Sequence, residues 1–156
     1  MPDMLVKLYD LPSFESVEQY EQRTGITIRR AIAPEKHIIE AWVEKHFHTG
    51  WVSECEVALS RSPITCIIAT ENGKLLGFAC YDATTKGFFG PTGVDESERG
   101  RGIGKMLLMY SLYLMRLDGY GYAVIGGAGP TEFYAKTTGA IVIENSEPGV
   151  YKGMLR

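Results

Sequence analysis

The chain has 156 residues, 45% of them hydrophobic, enough for one domain with a full core. Its formal charge is −3 and its isoelectric point is about 5.6, so it lacks the basic surplus expected of a general nucleic-acid binder. No apolar run approaches the roughly 18 residues of a membrane span, and "MPDMLVKLYDLP" has no signal-peptide pattern. Cys55, Cys66 and Cys80 are odd in number and widely spaced, which suits neither a disulfide framework nor a C-x-x-C metal or redox motif. The expectation is a cytoplasmic protein with reduced thiols, no bound metal and no membrane or nucleic-acid partner.

In chain order, "MLVKLYDLP" reads as a short extended piece and "SFESVEQYEQR" as a short helix ended by Gly25. Residues 1–25 are set apart as an amino-terminal arm, with a single domain over residues 26–156. "ITIRRA" reads as a strand. "PEKHIIEAWVEKHFHTG" carries Ile38, Ile39, Trp42, Val43 and Phe47 at helical spacing, and "WVSECEVALSR" predicts a further helix before Pro63. "ITCIIAT" and "LLGFACYDA" flank the Asn-Gly hairpin signal of "ENGK". "FFGPTGV" is a strand whose proline and glycines predict an irregular or edge segment with a bulge. A long apolar helix is predicted from Lys105 to Leu117, then a strand "YAVIGGAG", a short helix "PTEFYAKTT" opened by Pro130, and strands at "AIVIENS" and "VYKGML" joined by a type II turn at Pro148-Gly149. The fold class is α+β: a mixed, largely antiparallel sheet flanked by helices, with one central crossover helix.

The segment "SERGRGIGKMLL" leads from a strand through glycines into that central helix, an arrangement that suits an anion. It fails the Walker template because Lys105 is followed by Met106 and no hydroxyl is available for magnesium. It fails the dinucleotide fingerprint because Gly100, Gly102 and Gly104 alternate and no glycine stands at 107. What is left is Arg-x-x-Gly-x-Gly at Arg99, Gly102 and Gly104. With "TGVDESERGRGIGKMLL" as a whole and "EFYAKTTGA" some 30 residues on, the sequence resembles the GNAT superfamily of acetyl-CoA-dependent N-acetyltransferases over roughly residues 26 to 154.

That resemblance implies the acyl-CoA N-acyltransferase fold and acetyl-CoA as cosubstrate, with no metal. It implies that Gly93 and Val94 run beside the pantetheine arm and that the Val94 N–H polarises the acetyl carbonyl. The turn Arg99, Gly100, Arg101, Gly102, Ile103, Gly104 and Lys105 would hold the pyrophosphate. Tyr134 would be the general acid that protonates the leaving thiolate. A strand glutamate common in the family is missing from "FFGPTGV", leaving Asp82, Glu132 or an ordered water chain as the base. The implied activity is direct acetyl transfer in a ternary complex to a primary amine of a small molecule or protein. The alternative is a non-catalytic acyl-CoA-binding or regulatory module of the same fold. Trp42, Phe47 and Trp51 either line an acceptor pocket or belong to the core, and Glu54 and Glu56 either attract an ammonium group or face water. His37, His46 and His48 are expected at the surface, and a homodimer through an edge strand or a packed helix is compatible with the sequence.

Overall fold

The computed structural model describes all 156 residues. Its first strand, β1 (Met4–Lys7), precedes α1 (Val17–Thr24), whose start is held by a capping box between Ser16 and Gln19 and whose end is Gly25 in the left-handed region at φ +80°. β2 (Thr27–Arg30) leads to α2 (Lys36–His46) and α3 (Thr49–Leu59). β3 (Cys66–Glu71) and β4 (Lys74–Tyr81) form the hairpin that "ENGK" predicts, with Asn72 at φ +51° and Gly73 at φ +75°. β5 (Phe88–Val94) and a turn then open α4 (Ile103–Leu117), followed by β6 (Tyr122–Ile125), α5 (Thr131–Thr138) and the two-residue β7 (Ile141–Val142).

The seven strands lie in the order β2-β3-β4-β5-β6-β1-β7, and every neighbouring pair is antiparallel except β5–β6. Helices cover both faces. α4 and α1 share one core with Val6, Ile67, Leu76 and Phe89, while α2 and α3 share another with Ile68, Phe78 and Cys80. β3 and β4 are buried on both faces, which is why they read as continuous apolar runs rather than as alternating ones.

Three expectations are corrected. Residues 1–25 are not an appendage: β1 pairs with β6 on one side and β7 on the other, and Met4, Val6 and Leu8 are core residues. "VYKGML" is not a strand; Gly149–Tyr151 form a 3-10 turn after Pro148 at ψ −3°, which also excludes a type II turn there. β5 is irregular but internal. The step from Ala79↔Thr92 to Tyr81↔Phe89 leaves an extra residue on β5, so the predicted bulge falls at Gly90-Pro91.

Candidate active site

The bulge separates two strands that begin together. β5 pairs with β6 only at Phe88↔Val124 and Phe89↔Ile125, and Gly126 N–H to the Phe89 carbonyl at 3.4 Å is the last bond across the pair. Beyond it Thr92–Val94 follow β4 alone. Asp95 N–H donates to the Leu76 carbonyl at 2.8 Å, so strand alternation turns the Val94 N–H away from β4, toward the side that β6 has left.

A cleft of about 520 Å³ lies at this divergence. Its walls bring together Gly93, Val94, Arg99, Gly100, Gly102, Ile103, Gly104, Lys105 and Tyr134, residues from three separate stretches of sequence. Thr92, Glu98, Leu108, Pro130 and Phe133 complete it. Of these, Leu108 could be read from the sequence as the residue one turn beyond Gly104; Thr92 and Glu98 carry no such signal.

The turn exposes backbone donors because of its glycines. Gly100 and Gly102 stand at φ +85° and +77°, conformations that cost other residues about 1–2 kcal/mol each. Gly102 is the N-cap of α4, no side chain caps the helix, and its first turn holds no acidic residue. The N–H groups of Ile103, Gly104 and Lys105 therefore point out of the helix start with its positive dipole end behind them. Arg99 and Lys105 are exposed and form no ion pair, so they add positive charge beside these donors. The residues present fit an anionic pyrophosphate.

Arg101 belongs to the turn by its backbone only. Its guanidinium binds Glu71 at 2.8 and 3.1 Å and Glu98 at 2.7 Å, and these carboxylates hold it firmly protonated. The sequence gives no hint of the Glu71 partner, which comes from the end of β3. Gly93 is explained from the opposite side of the strand, because a Cβ there would lie 2.3 Å from the Phe47 ring.

Tyr134 is 8% exposed, and its hydroxyl has no hydrogen-bond partner within the chain. Burial pushes its phenol above the ordinary tyrosine range, so it stays protonated at neutral pH. Neither named base joins it. Asp82, at φ +53°, sits past the far end of β4, where its carboxylate accepts from the Tyr120 hydroxyl at 3.0 and 3.1 Å and from Gly87 N–H at 2.7 Å. Glu132 is exposed on α5, two residues from Tyr134 and hence on another face of the helix.

A profile of the Acetyltransferase (GNAT) family matches residues 11–139. The chain belongs to that family. Membership fits acetyl-CoA-dependent acetyl transfer, and the seven-stranded sheet is the fold of solved GNAT proteins. One similar structure is the glucosamine N-acetyltransferase region of a fungal multi-domain GH3 beta-N-acetylglucosaminidase, at 17% identity and a TM-score of 0.74, covering 91% of this chain and 19% of that one. Another is a GCN5-related N-acetyltransferase from Sphaerobacter thermophilus, at 23% identity and 0.70, covering 91% and 48%. A third is an aminoglycoside N-acetyltransferase solved with coenzyme A, at 18% and 0.52, covering 71% and 82%. This GNAT chain thus spans from about a fifth to about half of the first two proteins. No curated protein matches its sequence.

On the other face of β5, a second recess of about 500 Å³ is lined by His46, Phe47, Val94, Asp95, Glu96, Ser97 and Arg99. His46 is not a surface residue of the expected kind: it stacks on Trp42 at 4.2 Å, its Nδ1 meets the Trp42 carbonyl at 2.9 Å, and its Nε2 lies 3.5 Å from Asp95. Trp42, Phe47 and Trp51 all pack against Phe78 and belong to the α2–α3 core of the GNAT domain. Cys55, Cys66 and Cys80 are buried and free, and burial pushes the Cys80 thiol well up, which makes it a poor nucleophile. No helix is long and apolar enough to cross a membrane.

Proposed function

We propose that the protein transfers the acetyl group of acetyl-CoA directly to a primary amine, within a complex that holds both substrates. The observation that carries this reading is the single cleft lined by the glycine turn, the diverging end of β5 and the Tyr134 hydroxyl. The N–H groups from Gly102 to Lys105 bind the pyrophosphate, with Arg99 and Lys105 as countercharges. The pantetheine arm takes the place that β6 vacates, using strand-type hydrogen bonds along Thr92–Val94. There the Val94 N–H donates to the thioester oxygen as negative charge develops on it.

The amine reaches the thioester carbon as a free base after its ammonium proton passes to water. Its nitrogen forms the new C–N bond as the C–S bond breaks. Tyr134 gives its proton to the departing thiolate, and the phenolate recovers a proton from the nitrogen that has become an amide. No buried thiol lies in the cleft, so no acyl-enzyme step is needed.

A second reading is a module that binds acyl-CoA without turnover. It is favoured by one observation: Glu98, the single acid in the cleft, is taken by Arg101 and stands 3.8 Å from Lys74. Thiol release from acetyl-CoA over a panel of amines, alongside calorimetric acetyl-CoA binding, separates the two. Binding with amine-dependent thiol release supports transfer; binding with no release supports the module; no binding overturns both.

A further inference from the structure

The divergence of β5 and β6 opens through the sheet, and the glycine turn, α4 and Tyr134 occupy only one of its faces. Phe89 and Ile125 point into the core on that face, so Phe88 and Gly126 point to the other. A Cβ on Gly126 would stand 2.9 Å from the Phe88 ring and 3.4 Å from the Tyr151 hydroxyl. Tyr151 therefore reaches the throat of the opening from the face opposite α4.

The groups gathered round Tyr151 carry negative charge. Thr84 donates its hydroxyl to Glu54 Oε1, which fixes that half-buried carboxylate, and both side chains lie close enough to Tyr151 to act on its phenol. Asp3 approaches from β1, 7% exposed, with Oδ1 accepting the Gly127 N–H at 2.8 Å. Its Oδ2 accepts no hydrogen bond and faces the 149–151 turn, 3.3 Å from where a Gly149 Cβ would stand. Neither Glu54 nor Asp3 has a cationic group within 4.0 Å, although a carboxylate as buried as that of Asp3 is ordinarily paired. Burial holds the Tyr151 phenol above the usual range, the charges of Glu54 and Asp3 add to that, and the Thr84 hydroxyl beside it acts the other way.

We infer that this face receives the acetyl acceptor, and that the acceptor is a cationic amine without a carboxylate, held by Glu54 and Asp3 with the Tyr151 hydroxyl at the throat. The inference rests on the transfer reading above. Two uncompensated carboxylates attract an ammonium group and repel the carboxylate of an amino acid, so the site discriminates by charge as well as by fit. The amine would meet the thioester from the side that the donor does not fill.

The test measures thiol release from acetyl-CoA with spermidine and glucosamine against L-glutamate and L-methionine, for the wild type, Glu54→Gln, Glu54→Asp and Tyr151→Phe. Losing a charge-assisted contact corresponds to about a 10- to 100-fold rise in acceptor KM for Glu54→Gln. Glu54→Asp should recover part of that loss, Tyr151→Phe should cost less, and acetyl-CoA affinity should stay unchanged in all three. Near-UV circular dichroism checks that each variant keeps its fold. Preference for the carboxylated amines, or a Glu54→Gln protein with unaltered acceptor kinetics, overturns the inference and leaves the transfer reading standing. Acetyl-CoA binding with no thiol release for any of the four amines overturns both.

Discussion

The Tyr20 hydroxyl donates to the Arg101 carbonyl at 2.8 Å, so a helix near the amino terminus buttresses the turn that faces the cleft. The same residue is locked from its other end: Tyr20 is 1% exposed, and the Arg101 guanidinium is clamped between Glu71 and Glu98. The turn is thus held from behind by backbone and side chain alike, while its N–H groups stay open in front. Tyr20→Phe removes one such bond and should cost about 1 kcal/mol of stability. Acetyl-CoA affinity should fall several-fold with kcat little changed, which calorimetry and steady-state kinetics would separate.

Gly102 and Gly104 should respond differently to substitution. Gly102→Ala forces a side chain into the left-handed region and should lose about 1–2 kcal/mol of stability, read in chemical denaturation. Gly104 has ordinary helical backbone and only Val94 nearby, at 3.7 Å from an added Cβ. Gly104→Glu places a carboxylate at a helix start, which favours the helix by about 0.3–1 kcal/mol while repelling an anion. Acetyl-CoA binding should weaken by at least about tenfold in a protein no less stable than the parent, a repulsion of about 1.4 kcal/mol.

Tyr134→Phe removes a hydroxyl with no partner in the chain, so stability should hold. Loss of a general acid should lower kcat by roughly 100-fold, within the usual range for such groups, with acetyl-CoA affinity spared. Equal turnover by the variant would assign Tyr134 to packing alone.

Asp82→Asn separates a structural carboxylate from a catalytic one. Asparagine tolerates the left-handed backbone of this position, but the bonds from Tyr120 and Gly87 lose their charged acceptor. Stability should drop by about 1.5–3 kcal/mol with kcat preserved. A loss of kcat in a fully stable variant would return Asp82 to the list of bases.

Alkali should unfold this protein through its buried phenols. Burial raises the phenols of Tyr20, Tyr81, Tyr134 and Tyr151, and burial with the Asp82 bond pushes Tyr120 up to about 12. Each folded-state value exceeds the unfolded one, so the stability they contribute is complete below about pH 10 and is lost as pH rises through the folded values. Denaturation midpoints measured from pH 8 to 12 should fall beyond about pH 10, and Tyr120→Phe should flatten part of that fall.

What the sequence made legible was local. Asn72-Gly73 demands a hairpin because both residues take positive φ, and the glycines before α4 announce an open helix start. The bulge at Gly90-Pro91 could be read because proline cannot donate to a ladder. What escaped reading depends on partners far along the chain. The Arg101 guanidinium looks like a phosphate ligand until Glu71 meets it, and the need for glycine at 93 is hidden until Phe47 is found against its other side. Asp82 ends a strand with an acid of the right type, yet Tyr120 already occupies it. The strand β1 carries too few residues to announce which neighbours it will have.

That placement of β1 governs when the molecule can become itself. Residues 4–7 pair with residues 122–125, and Met4 and Leu5 also with Val142 and Ile141, so the sheet cannot close until residue 142 has been made. Pairings so distant in sequence are slow to form, and a nascent chain carries them last. Until then Met4, Val6 and Leu8 have no core to enter, and β6 offers an unpaired edge. Asp3 is fixed by the same event, because Gly127 and Ser146 hold it only after β1 docks. Docking of β1 and the assembly of the acidic face at the throat would then be one event, so a ribosome-bound chain that stops short of residue 142 should be unable to select an acceptor.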